Sequence, residues 1–392
     1  MQQQQLHTAV KASREHTRQH NRRLVLQSIA SAGETSRAVI ARTTNLTPPT
    51  VSSIVGDLVL EGFIDERGRA EAPSIGKPPQ LLGLASGRRQ TVCLDLSGSH
   101  FVGSIIDLDG SVIDSAVGEG SDLLGDRALD AARDLVAELL PKVTASEATV
   151  SIAAPGVIDE SGTVRRAAYF GWNDLPLADD FEDRFGVETH VLNDAHALAL
   201  AEVAAHRAPI DNLVVVRVAR GVRAGIVLHG ALYVGDGFGA GEIGFLVPGG
   251  AGGSIRDPEH HTSRVSIGQL VARLRGVEHT DSWDLAGAVA AADRATVAAM
   301  STAVGIDLGR ALAAVVGALD IHTVRLDPSI APLGDELLSG LDVTLSASVV
   351  DTMAQSVDID FGKAGPDAVL RGAAIAVTLN DLGLVQRAGV AT

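Results

Sequence analysis

Apolar positions along this chain follow two rhythms, and the change between them falls near residue 90. Before it the spacing is helical. Leu24, Leu26 and Ile29, flanked by Arg14, Arg18, Arg22 and Arg23, predict a first helix. After Ala32-Gly33, Ser36 stands where its side-chain oxygen can cap a short helix over residues 37–43. Asn45 and Leu46 make a turn. Thr47 then caps a third helix that opens on Pro48, whose missing N–H costs nothing at the first helical position. Val51, Ile54, Val55 and Leu58 give that helix one apolar stripe, and Thr50, Ser52 and Ser53 fall off it near the N-terminal end. A strand starting at Gly62-Phe63-Ile64, a Gly/Pro loop over residues 74–79 and a second strand at Leu81-Leu82 predict a wing with Lys77 in its loop.

From Thr91 the rhythm becomes that of strands. An apolar run over residues 92–96, then Gly98, leads to a strand over 101–108, a turn at Asp109-Gly110 and a return at Val112-Ile113. The same order recurs about 120 residues on. There, a strand over 213–218, a glycine-bearing turn over 221–225 and a strand over 224–228 precede a turn at His229-Gly230 and a return at Leu232-Tyr233. Helical stretches over 123–140, 194–206 and 306–319 alternate with these strands. The expectation is a duplicated α/β body of two lobes, with ligands bound where strand ends face the cleft.

Composition narrows the picture. The 392 residues allow two or three domains, and the single cysteine, Cys93, excludes a disulfide framework or a thiolate zinc cluster built from this chain alone. No run of about 18 uncharged apolar residues occurs, and the longest apolar stretch is broken by Arg217, Arg220 and Arg223. Met1 and the four glutamines after it lack a signal-peptide core, so a cytoplasmic location is expected. The net charge of −16 is unevenly spread: residues 1–89 carry 12 basic against 7 acidic side chains, and the remainder 20 against 41. Only the head is suited to phosphates.

Helix, short helix, turn, helix and wing is the plan of a winged helix-turn-helix, whose second helix enters the major groove N-terminal residues first. Ser36, Arg37, Arg42, Thr47, Thr50, Ser52 and Ser53 are the expected DNA-binding residues, with Lys77 at the minor groove or a phosphate. A protein-interaction module is the alternative; the local charge and the hydroxyl-rich helix start favour DNA.

In the head, Ser36-Arg37-Ala38 and Thr50-Val51-Ser52 stand in order with a series of body motifs. These are Ala154-Pro155-Gly156-Val157, Trp172 with Pro176-Leu177, Asn193-Asp194-Ala195, Gly241-Glu242-Ile243-Gly244 and Gly372-Ala373-Ala374. On these residues, from about Arg22 to the end, the chain resembles the regulator branch of the ROK family (repressors, uncharacterised frames and sugar kinases). The resemblance implies a winged helix-turn-helix (1–85) followed by a two-lobed actin-like ATPase body (90–392). Lobe one would span about 90–207 plus the C-terminal helix, and lobe two about 208–365. It also implies a sugar-type pocket between the lobes and a homodimer or homotetramer.

The family's kinases carry a first phosphate loop Asp-x-Gly-Gly-Thr-Lys; here it reads Asp95-Leu96-Ser97-Gly98-Ser99-His100. Their second loop, Gly-Thr-Gly-x-Gly-x-Gly, is Ala219-Arg220-Gly221-Val222-Arg223-Ala224-Gly225, and the adenosine Gly-Gly is replaced by Leu326-Asp327-Pro328. Side chains where backbone must approach phosphate predict a dead nucleotide site, although Arg220 and Arg223 could clamp an anion. On the acceptor side Asp194 matches the family's base, and Asn193 and Glu242 match sugar-hydroxyl ligands. Helix capping is the alternative role for Asn193-Asp194, and a solvent-facing turn carboxylate for Glu242. Phe245 replaces a family histidine, and Tyr169 replaces a frequent asparagine. Both rings are expected in the ligand site, suited to a less hydroxylated or ring-stacked ligand, or to no ligand. No cofactor or metal is expected: residues 249–254 lack the family's zinc cysteines, and His260-His261 read as solvated. The leading expectation is a ligand-responsive repressor of carbohydrate-utilisation genes with a palindromic operator. A sugar kinase fused to a DNA-binding head and a ligand-independent DNA-binding oligomer are the alternatives.

Overall fold

The computed structural model describes residues 17–30, 32–69, 79–120, 123–206, 210–246, 265–278, 280 and 282–382. Helix α1 (residues 17–30) buries Val25, Leu26 and Ile29, whereas Leu24 is only half-buried. Helix α2 (Arg37–Thr44) starts on Ser36, whose Oγ accepts from the Val39 N–H, and stops at Asn45 in the left-handed conformation. Thr47 caps α3 (Pro48–Leu60), and all four residues of the expected stripe are buried. Strands β1 (Ile64–Arg69) and β2 (Gln80–Leu84) pair antiparallel as the wing. Thr35 and Leu82 exchange two backbone hydrogen bonds of 3.0 and 2.7 Å, tying the entry of α2 to that wing. Lys77 and its loop lie outside the described residues, as do 249–254 and His260-His261.

The body begins with β3 (Arg89–Asp95), β4 (Val102–Asp107) and β5 (Val112–Val117), a meander continued by α4 (Gly125–Leu139) and β6 (Glu147–Ala154). A small sheet of β7 (Val157–Ile158), β8 (Thr163–Ala167) and β9 (Trp172–Pro176) follows, then α5 (Leu177–Phe185), β10 (Thr189–Asn193) and α6 (Asp194–Ala205). The second half repeats the meander as β11 (Leu213–Val218), β12 (Val222–Leu228) and β13 (Ala231–Tyr233). After it come α7 (Ile267–Arg275), α8 (Leu285–Ala291), α9 (Arg294–Leu319), β14 (Thr323–Leu326), α10 (Gly334–Ser346), α11 (Asp351–Ala354), β15 (Asp358–Phe361) and α12 (Ala368–Asp381).

The two large sheets run β5-β4-β3-β6-β10 and β13-β12-β11-β14-β15, the same order with the same strand directions. The duplication read from the sequence is therefore a duplication of topology. One detail differs from expectation: residues 221–225 are not a turn. The hairpin closes over residues 219–221, and β12 already pairs at Val222. A Cβ at Gly225 would run into the Ala195 carbonyl oxygen, so this glycine serves close packing of β12 on α6 rather than a phosphate loop.

Helices α6 and α12 lie between the sheets. Their Ala197, Leu198, Leu370 and Ala373 share one core with Cys93 and Ala153 of the first sheet and Leu213, Val215 and Val227 of the second. The crossing is close because Gly372 has no side chain to meet the Ala197 carbonyl. Beyond this layer, α4 packs on the first sheet and α9 with α10 on the second. Helix α9 is long and apolar enough to cross a membrane by length and composition, but its Leu308, Leu312 and Val316 belong to the second core. The far end of α12 contributes Leu379 and Leu382 to the core of the head.

Candidate functional site

The head offers one surface. Ser52 and Ser53 are exposed on the first turns of α3, opposite its buried stripe. Thr47 and Thr50 sit beside them with their hydroxyls 2.8 Å apart, and the Thr47 Oγ also accepts from the Thr50 N–H. Arg42 is exposed in the last turn of α2. Arg37 donates to Glu66 of β1 at 3.0 Å. Ser36, in contrast, is only 7% exposed and is spent on capping, so it leaves the set of surface residues. Capping and contacting DNA make opposite demands on one short side chain, and here burial decides between them. Two basic residues of α1 are also committed: Arg18 bonds Asp57 and Arg22 forks onto Glu61.

The body offers a cleft. Asn193 closes β10 and caps α6; its Oδ1 accepts from the Ala195 and His196 N–H groups while its Nδ2 donates to the Gly156 carbonyl. The capping role is thus its observed one. Asp194 follows with a fully buried side chain, held by Arg223 of β12 through Nε at 2.8 Å and Nη2 at 2.7 Å. Burial by itself would raise the Asp194 pKa, but Arg223 and Arg217 outweigh it and hold the carboxyl below its ordinary range. Glu242 is half-buried near the same pair, and among the described residues nothing hydrogen-bonds its carboxylate. Burial pushes its pKa up, against the pull of Arg223. His196 is buried in the first turn of α6, where burial pushes its pKa down against the pull of the Ala240 carbonyl, whose oxygen lies 3.4 Å from Nε2, and of Asp194.

Arg217 organises the floor. It projects from β11 directly across from Arg223 on β12. Its Nη1 donates to Asp327 at 2.6 Å, and its Nη2 to the Ser97 hydroxyl at 2.8 Å and Asp95 at 3.4 Å. Burial opposes its charge, yet Asp327, Asp95 and Asp194 together raise its pKa well above normal. Asp95 itself is pushed up by burial, and Arg217 only partly compensates. At the hairpin tip Arg220 donates to the carbonyls of Gly98 and Gly120, each at 2.7 Å, and lies 3.9 Å over the Tyr169 ring. Three arginines of the second lobe therefore reach three sets of acceptors on the first.

One expectation about aromatic ligand contacts changes accordingly. The Tyr169 face is covered by Arg220, so it is a structural partner of that guanidinium rather than a free platform. Phe245 is 48% exposed in a short 3₁₀ turn and has no ring partner among the described residues. Arg217, Ser97 and Asp327 were not among the expected site residues. Their signal was present in the arginines that interrupt an apolar strand pattern: a charge on a buried strand requires a partner.

As a chemical device this cleft holds charge but does not expose a base. A carboxylate forked by a guanidinium, with a lowered pKa, is poorly placed to take a proton from a substrate hydroxyl. Asp95 and Ser97 are bonded to Arg217, and the Gly98 carbonyl to Arg220.

Comparison with known proteins bears on both surfaces. Residues 91–379 match the ROK family, and residues 18–65 match the winged helix-turn-helix DNA-binding family. A putative xylose repressor of Caldicellulosiruptor sp. (strain Rt8B.4) is 29% identical over 238 residues, 58% of this chain and 59% of that protein. A glucokinase of Halalkalibacterium halodurans is 27% identical over 243 residues, 57% of this chain and 74% of that one. Among solved structures, a ROK family transcriptional regulator, a homologue of the E. coli MLC protein, superposes with a TM-score of 0.69 at 21% identity. It covers 94% of this chain and 98% of that one. The matched region spans only about three-fifths of the length of the first xylose repressors.

Proposed function

The chain belongs to the ROK family, and from that premise we propose that it is a sugar-responsive DNA-binding repressor rather than a kinase. In this reading the head (1–85) binds a palindromic operator and the body (90–392) senses the effector and assembles a homodimer or homotetramer. The observation that carries it is the pairing of a winged helix-turn-helix match with a cleft in which Arg223 has taken both oxygens of Asp194. DNA binding is retained while the proton acceptor is neutralised.

Ser52, Ser53, Thr50, Thr47 and Arg42 form the DNA-facing set, with Lys77 on the wing. Hydroxyls at the start of α3 reach phosphates and base edges, and arginine supplies the salt-dependent attraction. In the cleft, Glu242 accepts from effector hydroxyls, Asp194 becomes an acceptor for them only when its fork to Arg223 opens, and Asn193 caps the helix that carries Asp194. Phe245 in place of a polar ligand favours a sugar with fewer hydroxyls, and a neutral pentose is the first candidate. The relatives named xylose repressors support the same class. Residence in the cytoplasm follows from a DNA target.

In-vitro selection of duplexes by the full chain, followed by titration of the selected duplex with and without D-xylose, tests this reading. The expected result is one selected palindrome whose affinity changes by 5–150-fold, the range typical of allosteric coupling. Sugar-dependent release of ADP from MgATP would overturn it in favour of a kinase. A selected duplex indifferent to every aldose tried would reduce it to a ligand-independent DNA-binding oligomer.

A further inference from the structure

Strand β12 has the cleft at one end and the head at the other. Arg223, near its start, is forked onto Asp194. Beyond its last residue, the turn at His229-Gly230 presents the Gly230 carbonyl to Arg23 of α1, whose Nη1 donates to it at 2.6 Å. Five strand steps, roughly 17 Å at strand rise, carry β12 from Arg223 to Leu228, and the turn at His229-Gly230 follows directly.

The head is held differently on its two sides. Toward lobe one it shares a hydrophobic core: Leu379 and Leu382 of α12 and Leu108 pack with Val25, Ile29 and Phe63. Arg89 adds a guanidinium 4.6 Å over the Phe63 ring and a 2.8 Å bond to Asp381. Toward lobe two, among the described residues, Arg23 makes a polar contact with Gly230. A cavity of about 860 Å³ lies between α1, α6, α12 and the β12–β13 turn and extends to lobe-one residues such as Thr149 and His190, so α1 is not closely packed against the β12–β13 turn.

β12 itself is stiff. It is paired with β11 from Val222 to Val227 and with β13 from Ile226 to Leu228, and Gly225 seats it against α6. Its terminal turn is braced as well: the Gly230 N–H donates to the Asp211 carbonyl at 2.7 Å, and the His229 N–H to the Asn212 side chain at 3.1 Å.

We infer that Arg23 is a positioning residue through which β12 delivers changes in the cleft to the head. When the Arg223–Asp194 fork loosens, lobe two shifts against lobe one. The far end of β12 moves with it, and α1 follows Gly230 while the head pivots on its lobe-one core. This rests on the reading of the protein as an effector-responsive regulator, but its test requires neither effector nor DNA, so the two can fail separately.

The experiment is hydrogen exchange by mass spectrometry on the full chain, comparing peptides of α1 and of α4 in four proteins: wild type, Arg223→Lys, Arg23→Met and the double variant. Lysine keeps the charge at 223 but cannot fork. The expected result is exchange in α1 raised on the order of fivefold or more by Arg223→Lys. α4 should be unchanged, and the rise should be absent when Arg23→Met is already present. Asp194→Asn serves as a second way to loosen the fork should Arg223→Lys fold poorly. Equal exchange of α1 in wild type and both loosened variants would overturn the inference. So would a rise that persists without Arg23, or one shared by α4.

Discussion

The two lobes have the same sheet, yet they end at the cleft with opposite chemistry. In the first, β3 stops on Asp95, and a six-residue connection over 96–101 leads to β4. In the second, β11 and β12 are joined by only three residues and bring Arg217 and Arg223 face to face at the closing end. Lobe one contributes Asp95, Ser97, Asp194 and the carbonyls of Gly98 and Gly120; lobe two contributes three guanidinium groups and Asp327. Duplication supplies two equivalent frames, and divergence at the strand ends turns them into a bridged pair. Side chains of the chain itself span the two ends.

The sharpest way to break the contrast is to remove one sign. Asp194→Ala leaves Arg223 buried without its partner, a change that costs about 3–5 kcal/mol. Urea unfolding monitored by circular dichroism reads that loss. The combined Asp194→Leu and Arg223→Met variant should recover most of it, because an apolar pair of similar volume has no stranded charge. A double variant as unstable as the single one would show that the ion pair is not what the cleft depends on. The same bond has a pH signature. The folded-state pKa of Asp194 is depressed, so its contribution is complete above the ordinary aspartate range and is lost as pH falls through the lower folded value. Wild type should therefore lose stability more steeply below about pH 4 than Asp194→Asn does.

A smaller effect sharpens the comparison at a glycine. Gly225 looked like part of a phosphate loop but is a strand residue packed on α6. Gly225→Ala should cost about 1–3 kcal/mol through overpacking against the Ala195 carbonyl. Far-UV circular dichroism at fixed urea would report it, and a neutral result would argue that β12 and α6 can separate.

What could be read ahead of the structure divides along the same line as the chemistry. Ser36, Asn45, Thr47 and Pro48 announce their helices because capping and left-handed turns are decided within a few residues. The two meanders are legible because strand–turn–strand patterns recur. The bridge was not legible. Arg217 meets Asp327 and Asp95 across 110 and 122 positions, and Arg223 meets Asp194 across 29. The sequence displayed the arginines as interruptions of an apolar run, but which acids would answer them is a property of the assembled sheets. Tyr169 is the same case: its ring was visible as a candidate ligand platform, and only the fold brings Arg220 onto it. Motif order singled out Asp194 and Glu242, which the fold brings near one another, whereas the fork of Arg223 onto Asp194 was not legible.

Arg220 lets the hairpin tip be weighed separately from its base. Replacing it with alanine removes its cation–π contacts, the nearest of them with Tyr169, and two bonds to carbonyls, together worth about 1–2 kcal/mol. The melting temperature should fall modestly, and tryptophan fluorescence should change because Arg220 also lies 5.3 Å from the Trp283 ring. An unchanged spectrum would mean that Arg220 does not lie against Trp283 in solution.

The head provides the smallest effects and the cleanest contrast, because its surface residues are solvated and the cleft residues are not. Ser52→Ala and Ser53→Ala each remove an exposed hydroxyl from α3 without touching its buried stripe. Stability should stay within about 0.5 kcal/mol of wild type. On the selected duplex each should weaken binding by about 1 kcal/mol, a several-fold rise in Kd measured by fluorescence anisotropy. Arg42→Ala separates attraction from readout. A guanidinium that neutralises one phosphate contributes about one unit to the slope of log K against log salt. The slope for Arg42→Ala should drop by that unit, whereas the serine variants should leave it unchanged. A serine variant that altered the slope, or an Arg42 variant that altered base preference, would reverse the roles assigned to the two helices.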